Sequence, residues 1–258
     1  MDINKIYCID NIKGMAQLGA ETVDLTVTSP PYDDMRNYKG YSFDFERVAR
    51  GLFHVTKNGG TVVWVVGDGT KNGNETGTSF KQALYFKEIG FNLHDTMIYH
   101  KKAVGACGSF LSYNQAFEYM FVFTKGKIKT FNPIKDLVPD RAGKPTKYTK
   151  NAKSNKDGYS TETITKIAPS GSKRQNVWTY DIGFGSQDDK TGHPAVFPEK
   201  LVEDHILSWS NKGDLILDPF SGSGTTAKMA KLNNRNYIGF EISQEYVDIA
   251  NKRLSLYE

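Results

Sequence analysis

Two short apolar runs end in the same kind of loop, and together they restrict what this chain can fold into. Val23 to Thr28 runs into Ser29-Pro30-Pro31-Tyr32, and Leu215 to Leu217 runs into Asp218-Pro219-Phe220. Each has an aspartate near its start, Asp24 as the second residue of one and Asp214 directly before the other. Short apolar runs bounded in this way read as strands buried on both faces, which occur in parallel sheets covered by helices. In an open sheet of that kind ligands bind outside the carboxyl ends of the strands. If the two strands run parallel, both loops open onto one edge and can face a common pair of reactants.

The rest of the pattern agrees. Tyr7 to Ile9 reads as a strand with a helix after it to about Leu18, and Phe43 to Val55 as an amphipathic helix with Phe45, Val48, Ala49, Leu52 and Phe53 on one side. Lys57-Asn58-Gly59-Gly60 is expected to break the chain before the β-branched run Thr61 to Val66. Ser79 to Ile89 reads as a helix closed by Gly90, and Leu93 to His100 and Glu118 to Thr124 as strands. A helix opened by Pro198, a helix from Thr225 to Leu232, a strand from Tyr237 to Phe240 and a last helix from an N-cap at Ser243 toward Leu254 follow. Strands alternating with helices predict an α/β fold with a doubly wound, mainly parallel sheet.

Between Lys125 and about Gly192 the periodicity fades, and the charge changes sign. Lys125 to Arg174 carries thirteen Lys or Arg against four acids, a net +9, whereas the whole 258-residue chain nets only +4 and the remainder therefore −5. A basic block on a slightly acidic body suits an inserted module that binds a polyanion; a solvated lysine-rich loop is the plain alternative. The expected division is 1–125, an inserted region at 126–192, and 193–258. Lys173, Arg174 and Trp178 are the candidate polyanion contacts within it.

With hydrophobic residues at 38% a core is available and global disorder is not expected. Cys8 and Cys107 are too few for a disulfide framework, and the five histidines form no metal-binding pair, so no metal is expected. No apolar run approaches the roughly 18 residues of a membrane helix. The first residues lack the pattern of a signal peptide, so a soluble, cytoplasmic protein is the expectation.

The loops themselves carry chemistry. In Asp218 to Ala227, Gly222 and Gly224 permit a tight turn at the mouth of a helix, and Gly222-x-Gly224-x-x-Ala227 satisfies a dinucleotide-binding spacing. Glu241 ends the next strand, 19 residues after Gly222, where an acid can bind ribose hydroxyls. These features fit a nucleoside-bearing cofactor; an ordinary turn with a surface glutamate is the bland reading. Ser29-Pro30-Pro31 is stiff because each proline fixes φ and biases its predecessor. Lacking proline N–H groups, it offers carbonyl oxygens and the Ser29 hydroxyl, acceptors suited to an amino group, while Tyr32 adds a ring for base stacking. A rigid exit turn would use the same residues for nothing more.

Thr28-Ser29-Pro30-Pro31-Tyr32 and Asp218-Pro219-Phe220-Ser221-Gly222-Ser223-Gly224-Thr225-Thr226 together resemble the paired motifs of amino-group DNA methyltransferases that use S-adenosylmethionine. Their order, with the catalytic motif first and the cofactor motif last, resembles the beta, circularly permuted, class. Asn58 to Val63 resembles that family's PGG-strand segment, with Lys57-Asn58 in place of Lys-Pro, and Glu118 to Lys125 its strand before the target-recognition region. The resemblance implies a Rossmann-like methyltransferase sheet and S-adenosylmethionine as cofactor. Double-stranded DNA is the implied substrate, with a cognate restriction endonuclease and a homodimer as further partners.

By the same resemblance Ser29, Pro30, Pro31 and Tyr32 are catalytic. Thr28, Asp218, Pro219, Phe220, Ser221, Gly222, Gly224, Thr225 and Glu241 line the cofactor. His193 and Phe197 pack on its methionine end, and Asp10 meets the adenine, although Ile9 replaces the usual preceding glycine. A serine opening the catalytic motif leans toward N4 of cytosine; N6 of adenine is the alternative, because the acceptor geometry serves either base. Neither cysteine follows a proline, as carbon-5 methylation of cytosine would require. Asp33, Asp34 and Tyr246 read more simply as turn or packing residues. A nucleotide-dependent oxidoreductase leaves the proline loop unused, and a non-catalytic DNA-binding module leaves both loops unused. A methyltransferase acting on RNA or on a protein amide would share the cofactor site.

Overall fold

The computed structural model describes residues 1–31, 44–102, 113–151, 161–181 and 197–257. Its contacts group into two compact units, Met1–Asn132 with Asn176–Glu258, and Pro133–Gln175.

The larger unit is built on an eight-stranded sheet. In chain order its strands are β1 (Lys5–Cys8), β2 (Val23–Thr28), β3 (Thr56–Val66), β6 (Phe91–Lys101), β7 (Phe117–Lys125), β10 (Val177–Tyr180), β11 (Leu215–Asp218) and β12 (Asn236–Glu241). A small hairpin, β4 (Thr70–Lys71) and β5 (Asn74–Glu75), lies between β3 and the next helix. The spatial order is β1-β12-β11-β2-β3-β7-β6-β10, with β7 alone running against its neighbours. This is the mainly parallel, Rossmann-like sheet anticipated from the alternation of strands and helices.

Helices α1 (Asn11–Ala16), α2 (Phe45–Val55) and α3 (Thr78–Glu88) share one core with the sheet. The period-two alternation of β3 shows how: Val62, Trp64 and Val66 enter that core with Met15, Val48, Leu52 and Phe86, so Val63 and Val65 face the other way. There α4 (Glu199–Trp209), α5 (Thr225–Leu232) and α6 (Gln244–Ser255) pack, burying Leu201, Ile206, Ala230 and Ala250. The β-branched strand run is therefore covered on both faces, as a parallel sheet demands. α2 begins where Asp44 accepts the Arg47 N–H at 3.2 Å, and its apolar stripe at Val48, Ala49, Leu52 and Val55 is fully buried.

Three expectations change. Lys57-Asn58-Gly59-Gly60 does not separate α2 from a later strand: β3 starts at Thr56, and a register shift against β2 between Val23 and Leu25 absorbs the glycines as an irregularity. A side chain at Gly60 would stand 2.9 Å from the Asp24 carbonyl, so the strands can meet only where glycine stands. Val177–Tyr180 is a strand of the main sheet, paired with β6, rather than part of an irregular insertion. Trp178, expected to touch DNA, is only 5% exposed and packs 4.7 Å from the His205 ring. An aromatic beside lysines reads like a base-stacking residue in sequence, but its strand partner turns this one inward.

The smaller unit holds an antiparallel hairpin of β8 (Pro145–Asn151) and β9 (Thr161–Ile167). Its base is closed by Ser172 N–H to Leu137 O at 2.8 Å, by Arg174 N–H to Ile134 O at 2.8 Å, and by the Arg174 guanidinium forked onto Asp136. Lys147, Lys166 and Lys173 are exposed.

His205 is wholly buried on α4. Its Nδ1 accepts from Trp209 Nε1 at 3.2 Å, which leaves the ring proton on Nε2, 3.2 Å from Met120 Sδ. Burial lowers its pKa to about 3, the neighbouring Asp204 opposing. The unfolded chain takes this proton below about 6.5 while the folded one refuses it, so stability is complete above that pH and falls on acidification. Urea unfolding of His205→Gln should show a loss from pH 7 to pH 5 smaller than that of the parent by roughly 2 kcal/mol.

Candidate active site

All the strands that matter run the same way, so their carboxyl ends share one edge. From the outside inward it carries Asp10 just beyond β1, Glu241 closing β12, Asp218 closing β11, and Ser29-Pro30-Pro31 beyond β2. Residues far apart in sequence thus meet because β11 pairs with β2, Ile216 opposite Leu25 and Leu217 opposite Thr26.

The Thr28 hydroxyl donates to Asp218 Oδ1 at 2.7 Å, inside the protein and across the two strands. The same oxygen accepts the Phe220 N–H at 3.0 Å, which turns the chain sharply after β11. Burial raises the Asp218 pKa to about 6, against the hydrogen bonds from Thr28, Thr226 and Phe220 that favour the charged form. Near neutral pH the site therefore holds a desolvated negative charge directly beneath the two loops.

Ser221 to Gly224 form the turn into α5. Its geometry requires glycine: Gly224 has φ +78°, and a side chain there would stand 2.9 Å from Ala250 Cβ. Gly239 on β12 leaves room for the Ser221 side chain, whose Oγ would lie 2.5 Å from a Cβ at that position. Ser221 Oγ is buried without a hydrogen-bond partner among the described residues. Glu241 receives the Gly222 N–H on one carboxylate oxygen and the Ser243 N–H on the other, both at 2.9 Å. That bond, rather than a side-chain cap from Ser243, orders the start of α6. Phe220 is half-buried with its ring 6.2 Å from Trp64, and Pro219 and Thr225 are buried in the same turn.

Asp10 caps α1 by accepting the Lys13 N–H at 3.0 Å and remains partly exposed. Phe197 is half-buried immediately before α4, whose N-cap is Pro198. Ser29 is half-buried and Pro30 buried. Tyr32, Asp33, Asp34, His193 and Cys107 lie outside the described residues. Trp178 is not brought to this edge as a DNA contact but sits in the core. Sequence reasoning missed Glu199, Lys228 and Arg253, which form an ionic cluster behind the glycine turn. Only their placement on three separate helices reveals them, since lysine and arginine in helices ordinarily mark a solvated face.

Two partly exposed carboxylates, a glycine turn at a helix mouth and a half-exposed aromatic ring suit a ligand with ribose hydroxyls, an exocyclic amine and a cationic centre. The fold and the site fit a Rossmann-like enzyme with a nucleoside-bearing cofactor, and the comparisons make it a methyltransferase whose cofactor is S-adenosylmethionine. Residues 23–252 match the family N6_N4_Mtase, DNA methylase, and the chain belongs to that family. It is 56% identical over 247 residues to the orphan methyltransferase M.BamHII of Bacillus amyloliquefaciens, covering 93% of this chain and 91% of the relative. Among solved structures it is similar to PvuII DNA methyltransferase, described as cytosine-N4-specific, at a TM-score of 0.72 with 20% identity over 96% of this chain and 85% of that one. The M1.HpyAVI–SAM complex matches at a TM-score of 0.62 and 25% identity, covering 97% and 99% of the two chains.

Asp218 supplies two linked expectations. Calorimetric binding of S-adenosylmethionine should weaken as pH falls through about 6, where the carboxylate takes up its proton. Thr28→Val removes a bond that favours the charged carboxylate, so the acid limb should move to higher pH by about one unit. A limb that stays in place in this variant would show that another group sets it.

Proposed function

We propose that this enzyme is a site-specific DNA methyltransferase that methylates the N4 amino group of cytosine in double-stranded DNA. The observation that carries the reading is the placement of Ser29 and Pro30 at the carboxyl end of β2, joined to the cofactor turn through Thr28 and Asp218. Serine opening this motif favours cytosine over adenine.

S-adenosylmethionine, when bound, supplies an electrophilic methyl group on a positively charged sulfur. Glu241 and Asp10 would hold its ribose and adenine, the turn from Ser221 to Thr225 its chain, and Phe220 its aromatic side, with His193 and Phe197 at the methionine end. The target amine donates to the Ser29 hydroxyl oxygen and to the Pro30 carbonyl, which draws its lone pair away from the ring. Both acceptors face the positive charge that develops on nitrogen, and the buried Asp218 carboxylate adds its field from below. Fixed by two prolines, the loop needs little rearrangement at the moment of reaction, so positioning contributes alongside electrostatics. The base must leave the duplex to reach this edge, and Tyr32 gives it a ring on which to stack.

The basic stretch from Lys125 to Arg174, with exposed Lys147, Lys166 and Lys173, supports its reading as the segment that meets DNA phosphates. A cognate endonuclease would fit a modification methylase, whereas the orphan description of M.BamHII favours an enzyme working alone.

Incubation with tritium-labelled S-adenosylmethionine and unmethylated bacterial DNA, followed by digestion to nucleosides, should place the label in N4-methylcytosine. Ser29→Ala should lower kcat by about 100-fold or more with little change in cofactor affinity, by analogy with the loss of one aimed donor from an oxyanion hole. Label in N6-methyladenine would replace the assigned base while leaving the site intact; no label in DNA would overturn the substrate class.

A further inference from the structure

We propose that Arg253 is a positioning residue for the cofactor turn, holding it from behind through an ionic cluster that joins three helices. This rests on the assignment of Ser221 to Thr225 as the turn that holds S-adenosylmethionine.

Arg253 lies in the last turn of α6, and only 10% of its side chain is exposed. One nitrogen, Nη1, donates to the Ser223 carbonyl at 3.3 Å and to Thr225 Oγ1 at 3.1 Å. The other, Nη2, is bound to the Glu199 carboxylate. Glu199 is the first residue of α4 and follows Phe197 by two positions. Its same oxygen also accepts from Lys228 Nζ at 2.5 Å, and Lys228 is only 6% exposed on α5.

The partners explain why the cluster does more than staple helices together. A guanidinium so nearly removed from water is held only when its donors are matched, and here two of its three partners belong to the ligand turn itself. The Ser223 carbonyl is drawn backward by Arg253, while the Gly222 N–H is drawn sideways by Glu241 at 2.9 Å. The turn is thus pinned on both sides of Gly222-Ser223 before any cofactor arrives. Through Glu199 the same cluster fixes the start of α4, immediately after Phe197. Two segments assigned to the cofactor, the glycine turn and the residues before α4, are therefore tied to one side chain. Lysine cannot reproduce this, because it lacks the planar fork that serves a carbonyl, a hydroxyl and a carboxylate at once.

Titration calorimetry with S-adenosylhomocysteine, the demethylated cofactor, tests the assignment on Arg253→Met, Arg253→Lys and Glu199→Gln, each beside its own thermal melting curve. Arg253→Met should bind 10- to 100-fold more weakly and Arg253→Lys about 5-fold, with kcat at saturating S-adenosylmethionine within threefold of the parent. Lys57→Met, which breaks the pair with Asp24 at the opposite edge of the sheet, should lower the melting temperature without moving the affinity. Folded Arg253 variants, the lysine one included, that bind within twofold of the parent would overturn the proposal. Loss of affinity in Lys57→Met equal to that in Arg253→Met would overturn it too, by showing that general destabilisation suffices. A parent protein that does not bind S-adenosylhomocysteine would instead remove the cofactor assignment on which it stands.

Discussion

The hydrogen bond from Thr28 to Asp218 joins residues 190 positions apart, and the rest of the site depends on it. It exists because β2 and β11 are neighbours in one parallel sheet, a pairing no local sequence signal requires. Once they are adjacent, the proline loop and the glycine turn must leave from the same edge. In the reaction proposed here neither loop acts alone: one would offer acceptors to an amine, the other would hold the methyl donor. The buried contact sets their separation through strand geometry instead of through flexible side chains. Asp218 is also where electrostatics and register meet, since burial that disfavours its charge is opposed by the bonds that fix the loops.

Rigidity is distributed unevenly around this centre, and for a physical reason. The acceptor loop is stiffened covalently, by Pro30 and Pro31. The donor turn is made of small residues so that a ligand can approach its backbone, and small residues bring no rigidity of their own. Its order is imported from Glu241 on one side and Arg253 on the other. Buried charge behind a flexible turn thus serves the purpose that proline rings serve in the neighbouring loop.

Much of this was legible in the chain. Strands such as Val23–Thr28 and helices such as Phe45–Val55 follow from apolar periodicity, and both loops follow from proline and glycine at the ends of buried runs. What stayed hidden depends on partners. Asn58-Gly59-Gly60 looks like a break because its glycines weaken a strand locally, yet pairing with β2 keeps it within β3. Val177–Tyr180 looks irregular because a four-residue edge strand carries too few residues to show a period. The sequences of β8 and β9 mix threonine and lysine with isolated apolar residues, so no apolar alternation announces that hairpin. Lys228 and Arg253 read as solvated until the packing of α4, α5 and α6 places Glu199 between them.

The pairing of β1 with β12, Lys5 opposite Ile238 through Cys8 opposite Glu241, has a consequence for biosynthesis. Strands more than 200 residues apart lie side by side, and β2 waits for β11 while the intervening residues are made. Such non-local pairings slow folding and leave strand edges exposed in partial chains. A nascent chain carrying the acceptor loop therefore has no donor turn to complete it. Only a chain that already includes β11, the glycine turn and β12 can be stabilised by the cofactor, so ligand-assisted folding waits for those elements.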